Sequence, residues 1–593
     1  MTSAIFQRAS LFKRSGYLWC GQIAIFRKGK SKMMKLFTGG RRKVVAIMAI
    51  ALVASLTQVS SSGAAGAGTP KRGGNITVGI FDSFPGYCMA DSLANSSLMG
   101  ARTIYETWVE QRADGKIVPY LLKSWEHSAD NKIWSLVVRD GIKFHDGTPV
   151  DAAALATNLQ ALRGALLLAG KAGSPGTAGG FTANITDVKV TGPMSVQVTL
   201  YQAESDYPES LYASGRFFAR APSQILGKTC STTPVGTGAF KLVSTELTKL
   251  VVTANPDYWR KDAKGGKLPY LDGITFTYLP DALPRVSGVK SGSLAATMFS
   301  SASEAKQIKD LQKNKSVTSI LSPEDYYPSI WLNHKLAPFS SKNARLAVSH
   351  ALDREKFVKV RQKGLGSVPD SIVGPNNIMY NKKNFAGFDL AKAKSFAAAY
   401  KVETGKDLEF SFPVNTSSSD DVANSTLIKQ MLEAAGIKMN VLPQTTAEII
   451  AKAFPQQYQA MPLLLMEGTG TGFILPFLVS DMSGGNPTAL LNVSPRTKIL
   501  YSILNLSSFK DTVSENLLFA ARAESNMAKK KKLYQDATAQ LQAEARLTSL
   551  WRTSYMLSYK NLGGVGELPL AAGGQRRLVT NFGIDWTGVW SNK

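Results

Sequence analysis

Residues 233–259 read TPVGTGAFKLVSTELTKLVVTANPDYW. Pro234, Gly236 and Gly238 stand close together at its head. Glycine tolerates backbone angles that other residues avoid and proline fixes its own, so this trio predicts a tight turn. Phe240, Leu242 and Val243 follow with strand-like alternation, then a polar break, then a second apolar run at 250–252. Asn255-Pro256-Asp257 stops the chain before the aromatic pair Tyr258 and Trp259. The stretch therefore predicts turn, strand, hairpin, strand, turn.

Moving outward toward the N-terminus, Ile76, Val78 and Ile80 alternate as a strand, and 98–109 is helical. Residues 133–143 predict paired strands turning at Asp140-Gly141. Thr148 and Pro149 predict a helix start, with Thr148 at the cap and Asp151 in the first turn, running to about 163. Residues 188–200 predict a hairpin. Toward the C-terminus, 271–279 is a strand and 303–314 a helix. Ala344, Ala347, Val348, Ala351 and Leu352 recur at helical spacing, predicting one helix through Phe357. A strand at 408–413, a helix at 422–435 stopped by Gly436, and a strand at 439–442 argue an α/β lobe. A helix at 529–546 leads into a strand over 547–559.

A chain of 593 residues outgrows a single core and predicts two or three lobes. The formal charge of +26 raises the question of nucleic acid. Eleven of the 69 basic residues and none of the 43 acidic ones lie in 1–67, which leaves the rest basic by +15. Neither zinc-finger spacing nor an RNA-binding aromatic motif accompanies this charge, so it reads as solubility charge, or as a hold on anionic lipid or wall polymers, rather than a nucleic-acid surface. Arg41-Arg42-Lys43, the apolar run 44–56 and the small residues at 60–68 read as a signal peptide. Ala65-Gly66-Ala67 fits the cleavage rule and places the mature N-terminus at Gly68. Translation starts at Met1, Met33 or Met34 on this reading, and no cysteine follows the apolar run to carry a lipid anchor. Cys20 leaves with the leader, and Cys88 and Cys230 remain as an even pair in an oxidising exterior, predicted to form a disulfide.

The sequence shows no enzymatic motif. His127, His145, His334 and His350 form no metal-ligand pair at helical spacing, and there is neither a nucleophile elbow nor a phosphate loop with its lysine. The run 468–472, GTGTG, reads as a loop. The expectation is a protein that is not an enzyme and holds neither cofactor nor metal.

Four blocks carry a resemblance. They are PVGTGAFKL with NPDYW at 234–259, WEHSADNKIWSLVVRDGIKFHDGTPV at 125–150, LNHKLAPFSSKNARLAVSHALDREK at 332–356, and 533–551 with Tyr534, Gln540, Glu544 and Leu550. In this order they resemble the family 5 extracellular solute-binding proteins, the peptide- and nickel-type receptors of ABC importers. Ala239 stands where that family usually has proline. The resemblance implies an α/β, two-lobed periplasmic-binding-protein-like fold, type II, of the large three-subdomain variety, with a cleft between lobes. It implies a leader at 1–67, lobe 1 at 68–315 with an inserted subdomain near 110–210, lobe 2 at 316–546, and a return to lobe 1 at 547–593. The crossings fall near 326–331 and 547–551.

By the same resemblance, the cleft takes its lining from Asn95 and Ser96, Met298 and Phe299, Tyr326, Tyr327 and Trp331, and Glu467, Thr469, Thr471 and Phe473. Peptide-binding relatives carry a G-W-x-x-D-type segment whose aspartate meets the peptide amine. Here 464–473 reads LLMEGTGTGF, with Glu467 as the nearest carboxylate. Glycine backbone and hydroxyls suit uncharged or anionic groups better than an ammonium. The expected partners are a small solute (oligopeptide, oligosaccharide or related) and importer permease subunits, with no nucleic acid and the chain itself a monomer. The expected location is exported, periplasmic or envelope-associated. A secreted receptor or chaperone of the same fold that does not transport is the competing reading.

Overall fold

The computed structural model describes residues 69–593 apart from 82, 85, 90–94, 172–175, 228, 300–303, 325, 464–467, 469, 481–503 and 581–582. The expected leader and cleavage residues Ala65, Ala67 and Gly68 lie outside the described residues.

The deciding stretch forms the antiparallel hairpin Phe240–Glu246 and Lys249–Ala254. It closes one edge of a seven-stranded sheet ordered Thr318–Leu321, Met556–Tyr559, Ala296–Phe299, Asn75–Ile80, Gly273–Tyr278, then the hairpin. Asn75–Ile80 runs parallel to both its neighbours and buries Ile76, Val78 and Ile80. The glycines before the hairpin serve a different purpose from the expected one. Neither Gly236 nor Gly238 has a positive φ. A Cβ at Gly236 would sit 2.2 Å from the Ile104 carbonyl oxygen, and one at Gly238 2.4 Å from that of Thr103. They let the chain press against the end of the helix Asn95–Ile104.

The wording of this stretch that carries the resemblance resolves into one buried hub. Glu106 accepts hydrogen bonds from Thr237 Oγ1 (2.9 Å), Tyr258 Oη (2.7 Å), Trp259 Nε1 (2.8 Å) and Tyr120 Oη (2.8 Å). His145 belongs to the same scaffold: its Nε2 lies 2.9 Å from the Gly238 carbonyl oxygen, and burial pushes the imidazole down to about 4. Nearby, burial acts to raise the Glu110 carboxyl, but Arg102 and Arg576 outweigh it and hold the group below its ordinary value. A buried carboxylate survives because each oxygen has donors or cations to face.

A four-stranded antiparallel sheet, Leu122–His127, Ile133–Val138, Ser195–Leu200 and Ile185–Gly192, packs against the helix Ala152–Leu162. Gly141 does turn the chain, with φ +76°, but Ile133–Val138 pairs with Leu122–His127 and Ser195–Leu200 rather than with 142–143. The helix is capped by Asp151, whose side chain accepts from Ala154 N, while Thr148 donates its hydroxyl to Asp146. The expected single helix through Phe357 is two helices, Lys342–Ala351 and Arg354–Val360, because Asp353 caps the second through Lys356 N. Glu409–Asn415, Ser419–Ala434 and Lys438–Gln444 form a parallel strand–helix–strand unit over a core of Phe410, Leu432 and Met439.

The predicted strand 547–559 is divided between two sheets. Leu547–Ser549 joins a three-stranded sheet with Ser329–Leu332 and Ala460–Leu463, whereas Met556–Tyr559 joins the seven-stranded sheet. Thr318–Leu321 and Ser329–Leu332 divide in the same way. Residues 322–324, 326–328 and 550–555 therefore run between the two sheets, and the two segments run side by side. Leu550 N donates to Pro328 O (2.9 Å), Thr553 N to Tyr326 O (3.0 Å) and Ser322 N to Tyr555 O (2.8 Å).

Candidate functional site

Beside these two connecting segments, side chains from distant parts of the chain converge. Phe181 and Phe217 lie in stretches flanking the four-stranded sheet, and Phe473 and Phe477 in the short segment after the glycine loop. The Phe181 and Phe473 rings stack with centroids 5.3 Å apart, and Phe477 meets both edge-on. Trp331 reaches Phe477 at 6.1 Å. The Arg216 guanidinium, fully buried, lies 4.1 Å over the Phe473 ring.

The glycine loop is held by side chains from several elements. Asn377 Nδ2 donates to the carbonyl oxygens of Gly468 and Gly470, and Tyr327 Oη donates to that of Gly468. Thr471 N donates to Glu209 Oε1 at 2.9 Å, and its hydroxyl lies 3.4 Å from Oε2. The glycines are needed here for close approach, since a Cβ at Gly472 would sit 2.5 Å from the Glu209 carbonyl oxygen. Burial, reinforced by Asp206, pushes the Glu209 carboxyl up to about 7. Asp206 is also raised by burial, against the pull of Lys530.

Of the expected cleft residues, Tyr327, Trp331, Thr471 and Phe473 come together in this seam. Tyr326 lies in the crossing, its ring 5.3 Å from that of Tyr555. Met298 and Phe299 are packed on opposite faces of the seven-stranded sheet, in cores away from the seam. Asn95 and Ser96 begin the helix Asn95–Ile104, and their side chains lie outside the described residues, as do Glu467 and Thr469. Sequence reasoning missed Glu209, Arg216, Phe181 and Asn377. The run ESDYPE at 204–209 was the available signal, with three acidic residues in one short segment.

The predicted disulfide is present: Cys88 and Cys230 are bonded, with Cα atoms 4.8 Å apart. Each of the four histidines has a ring nitrogen on a backbone carbonyl oxygen, of Ser128, Gly238, Arg546 and Gly387 respectively. Among the described residues no group of three His, Cys, Asp or Glu is arranged to hold a metal ion.

Residues 116–486 match the family described as bacterial extracellular solute-binding proteins, family 5 Middle. The chain belongs to the bacterial extracellular solute-binding proteins of family 5. It is 28% identical over 320 residues to the nickel-binding periplasmic protein of Escherichia coli K12, a match spanning 51% of this chain and 57% of that protein. It is 26% identical over 389 residues to the glutathione-binding protein GsiB of the same strain, spanning 64% of this chain and 72% of that one. Among solved structures it is similar to the binding protein AgaA of A. tumefaciens R10 in complex with agropinic acid (TM-score 0.72, 21% identity, 88% of this chain and 99% of that one). It is also similar to DppA of Helicobacter pylori in complex with the peptide STSA (TM-score 0.71, 18% identity, 88% and 99%). At such identities these structures speak to the fold, and the fold is the two-lobed, type II periplasmic-binding-protein kind.

Proposed function

We propose that this chain is the extracytoplasmic solute-binding receptor of an ABC-type importer, binding its solute without transforming it and delivering it to the permease. In this reading lobe 1 comprises 68–315, with an inserted subdomain near 110–210, and 547–593, and lobe 2 comprises 316–546. The solute is enclosed as the lobes close about the two crossing segments, contacts to both sides favouring the closed state. The observation that carries the reading is the seam itself. Aromatic rings from both sides, Phe181 and Phe217 facing Phe473 and Phe477, meet next to paired crossing strands. These rings are packed on one another here, and drawn apart they would supply the apolar faces that a pocket between lobes requires.

Arg216, Glu209 and the loop hydroxyl of Thr471 supply polar groups beside those rings, which suits a peptide-like or other polar solute with an apolar face. Two of the relatives' printed ligands, glutathione and a short peptide, are peptide-like in that sense. Export fits the signal-like leader and the Cys88–Cys230 bond. Native mass spectrometry of the chain purified without refolding tests the reading. A small solute retained by the chain and released on denaturation is expected, and repeated recovery of the bare chain would count against it.

A further inference from the structure

Two helices, Ala282–Ser291 and Ala305–Gln312, end shortly before the strands Ala296–Phe299 and Thr318–Leu321 of the seven-stranded sheet begin. That end of the sheet is the one away from the crossing segments. Phe299 and Leu321 pair with Met556, next to the crossings, whereas Ala296 and Thr318 pair with Tyr559 at the opposite end. Lysines collect at this opposite end. Lys290 and Lys313 stand at the two helix ends, and Lys560 follows Tyr559. Lys560 Nζ donates to Lys290 O at 2.9 Å, and Lys593 Nζ to Gly292 O at 2.7 Å. Lys306 and Lys309 extend the patch along the second helix, with Lys309 Nζ donating to Lys363 O. The strand Asn75–Ile80 also starts at this end, since it runs parallel to Ala296–Phe299 with Val78 level with Ala296.

These lysines are not matched by acids as others on the surface are. Lys342 faces Glu544, Lys401 faces Asp407, Lys438 faces Glu409 and Lys532 faces Asp536. Of the six lysines gathered here, Lys306 alone has an ion pair among the described residues, with Asp310 at 2.8 Å. The hydrogen bond from Lys306, helped by the charges of Lys306, Lys290 and Lys313, holds that carboxyl below its ordinary value. The other printed partners are backbone carbonyl oxygens, those of Lys290 and Gly292 at the end of a helix, where a cation suits the dipole. Such a contact uses one N–H of an ammonium and cancels no full charge. Lys290, Lys306, Lys313 and Lys593 are exposed, so a surplus of positive charge faces solvent on one end of lobe 1.

We propose that this lysine-rich end of lobe 1 attaches the exported receptor to the anionic headgroups of a membrane leaflet. The inference rests on the receptor reading above, in which the permease lies in that membrane. Charge complementarity carries it. Cations crowded together without acids are relieved by an anionic surface, and each lysine beside such a leaflet strengthens attachment roughly fivefold. Attachment of this kind is reversible and salt-sensitive, because screening acts within about 8 Å at physiological ionic strength. The face lies at the opposite end of the sheet from the crossings, so its occupation leaves the seam open to solute.

Co-sedimentation of the solute-free exported chain with vesicles tests this. One vesicle holds equal parts phosphatidylglycerol and phosphatidylcholine, the other phosphatidylcholine alone. At about 0.05 M salt the chain is expected to bind the anionic vesicles at least tenfold more tightly, and about 0.5 M salt should remove most of that binding. Lys290→Gln/Lys313→Gln/Lys593→Gln should weaken it by roughly a hundredfold. Lys401→Gln/Lys438→Gln/Lys532→Gln removes the same charge from acid-paired sites and should leave binding within about threefold. All six positions are exposed, and unchanged melting of both variants shows that they fold. Wild type that ignores the anionic vesicles, or equal loss in the two variants, overturns the proposal. Binding of inorganic polyphosphate without binding of vesicles gives the face to a soluble polyanion and overturns it as well. Solute retention judges the receptor reading separately, so either result can fail alone.

Discussion

The Trp259 indole N–H donates to the Glu106 carboxylate at 2.8 Å, joining residues 153 positions apart. Thr237 and Tyr258 reach the same carboxylate, so the most recognisable wording in this chain marks a buried structural hub. Glu106→Ala leaves several buried donors without an acceptor and should cost about 3–5 kcal/mol. Glu106→Gln, which keeps one acceptor oxygen, should cost roughly 1–3 kcal/mol. Denaturant unfolding checks both, and a Glu106→Ala protein of wild-type stability would show that the hub is dispensable.

Gly236 and Gly238 lie against backbone oxygens that cannot move aside without displacing the end of a helix. Gly236→Ala should therefore lower stability by about 3 kcal/mol or more, the upper end for overpacking. Gly141→Ala makes a contrast, since a Cβ there has open space and only its positive φ resists. Thermal melting of the two variants should rank Gly236→Ala well below Gly141→Ala.

The Cys88–Cys230 bond closes a loop with a sequence separation of 142. Chain entropy then gives about 4–5 kcal/mol of stabilisation, erased by reduction. Exported, processed protein denatured without reductant should show no titratable thiol, and a thiol count of two would remove the bond from this account.

Glu209 gives a pH dependence whose sign is fixed by its environment. Its carboxyl is raised to about 7 where the loop covers it, above the ordinary value of 4.5, by burial first and by Asp206 second, with Lys530 and Thr471 opposing. The covered state therefore binds the proton more tightly than an open or unfolded one. The loop contact is favoured below pH 4.5, and the advantage is lost as pH rises toward 7. Glu209→Gln should flatten this dependence between pH 4.5 and 7, read as exchange protection of Thr471. An unchanged pH profile in that variant would mean that another group titrates.

Much of the fold was legible in the sequence because alternation and helical spacing report burial directly. Asn75–Ile80, the hairpin at 240–254 and the unit at 409–444 follow that logic. Boundaries failed where a side chain overrode periodicity: Asp353 restarts a helix whose apolar spacing continues unbroken, and Asp151 takes the cap from Thr148. The seam was half legible. Tyr327, Trp331, Thr471 and Phe473 lie in the stretches the family resemblance marks, but Glu209 reaches Thr471 from 262 positions away. No local pattern encodes such a pairing, because it joins parts of the chain that lie far apart in sequence.

The central claim is that a solute binds in the seam between the lobes, and ligand-dependent melting tests it most directly. A ligand that binds only the folded chain raises its melting temperature by mass action. Screened against di- to pentapeptides, their N-acetylated forms and oligosaccharides, the wild-type chain should melt higher with at least one class. Phe473→Ala should abolish that rise while keeping its own solute-free transition cooperative. A wild-type rise that Phe473→Ala retains in full would place the binding site away from the seam and contradict this account.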